Sequence, residues 1–110
     1  MMADTTYDDL RFHVRRLCAT FPSSYWQEID AARAYPEAFV QAMTASGYLA
    51  ALIPEEYGGG GSTLTEASII LEEINRSGGN AGACHAQMYI MGTLLRYGSA
   101  EQKQHYLPKI

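Results

Sequence analysis

No apolar run in this chain approaches the roughly 18 residues that a membrane-crossing helix needs. Basic clusters are as scarce. The nearest is Arg11, Arg15 and Arg16, which stand beside Asp8 and Asp9 in a chain of formal net charge -4. A grip on nucleic acid by phosphate neutralisation needs a basic face, so that class of partner is excluded. There are two cysteines, Cys18 and Cys84, and no C-x-x-C or H-x-x-x-H spacing. Cys84 and His85, with His105 further on, do not make a metal site: adjacent residues on a helix point about 100° apart and do not converge on one ion. The N-terminal Met1-Met2-Ala3-Asp4-Thr5-Thr6 has neither a basic n-region nor an apolar h-region, and is not a signal peptide. Two free, buried thiols in a reducing cytoplasm are therefore expected, not a disulfide.

What is present is apolar. Hydrophobic residues make up 47% of 110 residues, which favours a folded globule over a disordered tail. A single domain of this size buries roughly 60–65% of its unfolded surface, enough for one modest core. The apolar spacing is helical almost throughout. Thr6 can cap a first helix, with Leu10, Val14, Leu17 and Cys18 on one face and Phe21-Pro22 ending it. Ser24 with Gln27 is a capping box for a short second helix carrying Trp26 and Ile29. Pro36 starts a third, with Phe39, Val40 and Met43 inward and Gly47 as its left-handed stop. Tyr48 to Ile53 is read as a buried extended connector, and Gly58 to Gly61 as a flexible, non-helical turn. Thr63 and Glu66 form a capping box for a helix to Arg76 with Leu64, Ala67, Ile70, Leu71 and Ile74 inward. Ser77-Gly78-Gly79-Asn80 breaks the pattern. A helix from about Ala81 to Tyr97 follows, with Cys84, Met88, Met91 and Leu95 on its inner face. Gly98 stops it, and Ser99 with Gln102 caps a last helix limited by Pro108. The expectation is an all-α domain spanning 1–110, a bundle of about six helices of orthogonal or up-down type.

The motifs that carry chemistry are few. The glycine run lacks the Gly-Lys-Ser/Thr of a phosphate loop and the spacing of a dinucleotide turn. No G-x-S-x-G nucleophile signature exists. Glu55-Glu56 and Glu72-Glu73 are adjacent acids; on a helix such neighbours diverge, so the second pair is read as a solvated face, not an acid–base pair. Methionines at helical spacing are core filler. His85 and Tyr89, at i and i+4, share a helix surface, and the small Ala86 lies beside them. A small residue next to an aromatic one can shape a slot for an apolar ligand.

The order of motifs resembles the N-terminal helical domain of the acyl-CoA dehydrogenase family, from about Ser24 to Ile110. It rests on the Pro36 helix and its Gly47 exit, on Ile53-Pro54-Glu55-Glu56-Tyr57-Gly58-Gly59, and on Leu71-Glu72-Glu73-Ile74. The ending adds Tyr97-Gly98 through Lys103 and Tyr106-Leu107-Pro108. The resemblance implies a larger FAD-dependent oxidoreductase of fatty acid metabolism, acting on the CH–CH group of acyl-CoA thioesters. Its middle β-domain and C-terminal helical domain, its flavin site and its catalytic base are expected outside this chain, so the chain alone is expected to be inactive. An electron-transfer flavoprotein or other acceptor, and assembly into homo-dimers or tetramers, are implied partners. Ala86 and Tyr89, with His85 beside them, match positions that wall the family's acyl pocket, and a bulky Tyr89 implies a short, branched or aromatic acyl group. Related flavin oxidases and monooxygenases share this first domain, so it does not fix the chemistry. A free-standing helical adaptor or ligand-binding domain, and a partner that completes a separate flavin subunit, stay open; Leu107-Pro108-Lys109-Ile110 reads as a chain in mid-connection, which favours a fragment.

Overall fold

A computed structural model describes residues 5–109, with side chains from Tyr7 onward. Six α-helices follow one another: α1 (Thr5–Ala19), α2 (Ser23–Ala32), α3 (Glu37–Ala45), α4 (Leu64–Arg76), α5 (Gly82–Tyr97) and α6 (Ala100–Tyr106). Single 3₁₀ turns at Glu55–Tyr57 and Leu107–Lys109 complete the described residues, which contain no strand. The all-α reading and the helix count hold.

Local chemistry explains most boundaries. Thr63 accepts from the Glu66 N–H while the Glu66 carboxylate accepts from the Thr63 N–H, a reciprocal cap that starts α4. Ser99 and Gln102 do the same for α6. Gly47, at φ 83°, supplies the left-handed residue after α3. One expectation is corrected. The helix of Ser24 begins at Ser23, with Pro22 before it and no side-chain cap, because Pro22 is already extended and its carbonyl accepts from Tyr25 N–H. Pro108 limits the last helix as expected: α6 stops at Tyr106, and a separate 3₁₀ turn runs through the proline. The side chain of Thr6, expected as a cap, lies outside the described residues, and α1 already includes Thr5.

The connector from Tyr48 to Ile53 is buried at Leu49, Ala51 and Ile53 but is not extended. It folds as successive turns, with Ala51 N–H donating to Tyr48 O and Ile53 N–H to Ala50 O. The glycine run is stitched to it. Gly58, Gly59, Gly60 and Gly61 donate their N–H groups to Glu55, Pro54, Ala50 and Ile53 carbonyls at 2.8–3.2 Å. The expectation of a flexible turn is thus corrected: although the turn is largely exposed, its glycines pair their N–H groups with carbonyls of the connector and of the residues that follow it. Gly59 has a steric reason as well, since a Cβ there would lie 2.2 Å from Ile53 O.

The molecule is a slab of 45 × 43 × 19 Å. Its 19 Å depth is that of two packed helix layers. Its radius of gyration of 14.9 Å exceeds the ~13 Å of a rounder domain of equal length. Such a slab has little interior, and the core divides accordingly. Val14, Cys18, Phe39, Met43, Ile70, Ile74, Cys84 and Met88 belong to the larger cluster, and Ile53, Met91 and Leu107 form a smaller one under α5 and α6. Each large apolar side chain buried there contributes about 1.5–3 kcal/mol. Phe21, Tyr25, Trp26 and Phe39 join α2 to α3 through edge-on ring contacts at 4.9–5.3 Å. Leu64, expected on the inner face of α4, is 74% exposed; it occupies the first turn, beyond the reach of the core.

Candidate functional site

The helix α5 has two unlike faces. Cys84, Met88 and Met91 point inward and are buried. One residue on from the first two of these, His85 and Tyr89 are exposed, and their rings meet edge-on with centroids 5.3 Å apart. Tyr89 is 58% exposed, unusual for so large an aromatic. The structure therefore brings His85 and Tyr89 together, as the i, i+4 spacing predicts. Ala86 is half-buried on the neighbouring strip, in a shallow depression of about 370 Å³ that it shares with Tyr35, Val40, Leu49 and Ile90. His85 also lines a wider open groove of about 800 Å³ between α2 and the α4–α5 corner, with Trp26, Ile29, Arg33, Leu71 and Asn80. His85 and Ala86 thus face different concavities, and Tyr89 lines neither of them.

One constellation went unread in the sequence. Glu73 has no exposed side-chain surface. Its carboxylate accepts from Arg15 Nε at 2.6 Å and from Arg11 Nη1 at 3.2 Å, while Glu72 takes a second contact from Arg11 at 2.9 Å. The solvated-face reading holds for Glu72, which is 59% exposed, and is corrected for Glu73. The signal was available: Glu73 lies four residues after Ile69 and three after Ile70, both buried, on the inner stripe of α4. The Arg15 guanidinium, and then Arg11, hold the Glu73 carboxyl below its usual range against the opposing effect of burial. The same contacts raise both arginines. This pinned pair of charges fastens α1 to α4; a carboxylate held so firmly ionised and enclosed is a poor proton acceptor.

The two cysteines are not primed for chemistry either. Both cysteines are free and buried, as expected. Burial pushes the Cys84 thiol up to about 11 and raises Cys18, so neither is an activated thiolate. Among the described residues, no three His, Cys, Asp or Glu side chains gather as a metal site. No helix there is long and apolar enough to cross a membrane. The glycine turn does not offer a cradle for a flavin or nucleotide phosphate, because its N–H groups are all given to carbonyls of this chain. What the site offers is shape: an exposed aromatic pair on α5, with His85 at one concave surface and Ala86 at another.

Residues 4–110 match the family model described as acyl-CoA dehydrogenase, N-terminal domain. A probable acyl-CoA dehydrogenase of Mycobacterium leprae is 34% identical over 106 residues, covering 94% of this chain and 27% of that protein. An acyl-CoA dehydrogenase of Mycobacterium tuberculosis is 32% identical over 117 residues, covering 99% of this chain and 30% of its own length. A 3-sulfinopropanoyl-CoA desulfinase of Cupriavidus necator is 33% identical over 100 residues, or 87% and 25% of the two chains. No solved structure matches at a significant level. The chain spans between a quarter and a third of the length of these curated relatives. With the family model covering all but its first three residues, the chain belongs to the acyl-CoA dehydrogenase family, as its N-terminal domain.

Proposed function

We propose that this chain is the N-terminal helical domain of an FAD-dependent, acyl-CoA dehydrogenase-like oxidoreductase, and that α5 forms one wall of its acyl pocket. The observation that carries the reading is the family match over residues 4–110, in which α5 keeps a large aromatic residue turned away from the core. Tyr89 and His85 would contact the acyl chain, and Ala86 would leave room beside them. The glycine turn does not cradle FAD, and in this reading other parts of the protein hold it. Bound there, it supplies a hydride acceptor. This domain contributes apolar surface that excludes water and sets the length and shape of the acyl group. The reading extends to a cytoplasmic homo-oligomer that passes electrons to an electron-transfer flavoprotein or another acceptor.

A relative named for desulfination of a CoA thioester favours a second reading, in which the bond broken differs while the CoA-thioester substrate stays the same.

The test uses the full-length protein that contains this chain. With straight acyl-CoA substrates of increasing length, kcat/KM should fall beyond the short members. Tyr89→Ala should move the optimum to longer chains. Equal rates for long and short chains, unchanged in Tyr89→Ala, would remove Tyr89 from the pocket. The 110-residue chain alone, given acyl-CoA, FAD and an artificial electron acceptor, should show no turnover.

A further inference from the structure

The groove beside His85 is polar in a one-sided way. Arg33, Asn80, Trp26 and His85 line it with N–H groups, and Asp30 is the one carboxylate among them. Among the described residues, the Arg33 guanidinium, the Trp26 indole N–H, the His85 ring and the Asp30 carboxylate make no hydrogen bond within the chain, and no buried side-chain polar atom lacks a partner. These groups therefore remain open to whatever enters the groove. Asn80 gives its Oδ1 to the Gly82 N–H at 2.8 Å, which leaves its amide N–H₂ free to donate. Nonpolar surface is present as well: Ile29 and Leu71 contribute to the lining, and the Trp26 ring lies so close to Gly79 that a Cβ there would sit 3.1 Å from Cζ2.

Arg33 is held in place. It closes α2 in a left-handed conformation, φ 52°, with its N–H on Asp30 O at 3.1 Å and the next N–H, of Ala34, on Ile29 O at 3.0 Å. A non-glycine residue with such a φ is uncommon.

Resting on the acyl-pocket reading of His85, we infer that this groove receives the distal end of the acyl group and selects an end rich in hydrogen-bond acceptors, a carboxylate or a carboxamide. His85 makes the connection, since it meets the Tyr89 ring on one side and lines the groove on the other. Four residues that can donate, against two acceptors in the Asp30 carboxylate and the Asn75 Oδ1, leave an alkyl end to strip water from polar groups without replacing their hydrogen bonds, which disfavours it. Asp30 opposes a full negative charge, and a carboxamide avoids that opposition.

The experiment is a substrate series on the full-length protein: acyl-CoA thioesters of equal length ending in carboxylate, carboxamide or methyl. The acceptor-bearing ends should exceed the methyl end by about tenfold or more in kcat/KM, mostly through KM. Arg33→Asn removes the guanidinium while keeping a residue that tolerates the left-handed backbone. It should cut the carboxylate preference over the methyl end by about tenfold and preserve the helical circular dichroism and melting temperature. Asp30→Asn should act in the opposite direction and raise the carboxylate over the carboxamide. A methyl end favoured or equal, with both variants silent, overturns the inference and leaves the acyl-CoA reading standing. Failure of every CoA thioester to bind or react overturns both.

Discussion

Replacing Glu73 by glutamine probes the contact that ties α1 to the rest of the domain. The carboxylate takes Arg15 Nε at 2.6 and 3.2 Å on its two oxygens and Arg11 Nη1 at 3.2 Å, with no side-chain surface of its own in water. Charge-assisted bonds are roughly twice as strong as neutral ones. Glutamine keeps the shape and one acceptor for Arg15, but turns an N–H₂ toward a second guanidinium. Loss of a buried ion-pair partner costs about 3–5 kcal/mol when the orphaned charge stays buried. Here the orphans are arginines with 28% and 49% of their side chains exposed, which water can reach. The expected loss is therefore smaller, about 1–3 kcal/mol. The sign with pH follows from the depressed Glu73 carboxyl. Its stabilisation is complete above the unfolded value of about 4.3 and is lost as pH falls through the folded value, so parent and variant should converge in acid. Urea unfolding followed by circular dichroism at neutral and acid pH measures both effects. Equal stability at neutral pH, or a gap that persists undiminished in acid, would refute the reasoning. Within the same network, Arg15→Met should be more damaging than Arg11→Met, because Arg15 makes the shorter contact and Arg11 divides itself between Glu72 and Glu73.

Gly59→Ala should destabilise by about 1–3 kcal/mol or more, since the new Cβ meets backbone at Ile53 that cannot move aside, whereas Gly60→Ala, with its nearest neighbour at 3.4 Å, should cost far less. Met91→Ala should lose about 2–5 kcal/mol in the same unfolding assay, as Met91 is wholly buried in the small cluster with Ile53 and Leu107. Cys18 and Cys84 should resist iodoacetamide at neutral pH and react only on addition of denaturant, and rapid labelling of the folded chain would contradict their burial.

The helices were legible because local rules govern them. The Thr63–Glu66 and Ser99–Gln102 boxes, the Gly47 stop and the inner face from Cys84 to Met91 were set by neighbours within one or two turns. What sequence did not reveal depended on partners far along the chain. Glu73 looked like surface until α1, some 60 residues away, laid two arginines over it. The glycine run looked flexible until the Ala50–Pro54 carbonyls came within reach of its N–H groups. Spacing was enough to pair His85 with Tyr89. It could not show that Arg33 and Asn80, from other segments, share a groove with His85, because that requires α2 to fold back against the α4–α5 corner.

The central claim is that this domain serves an enzyme in which a CoA thioester meets a flavin. Its most direct test is to purify the native protein that carries this sequence and to add acyl-CoA under anaerobic conditions while recording the flavin absorbance. The account predicts a flavin-bearing protein several-fold heavier than 12.1 kDa, whose oxidised flavin band bleaches on addition of substrate. A native protein that holds no flavin, or a flavin that no CoA thioester reduces or perturbs, would contradict it.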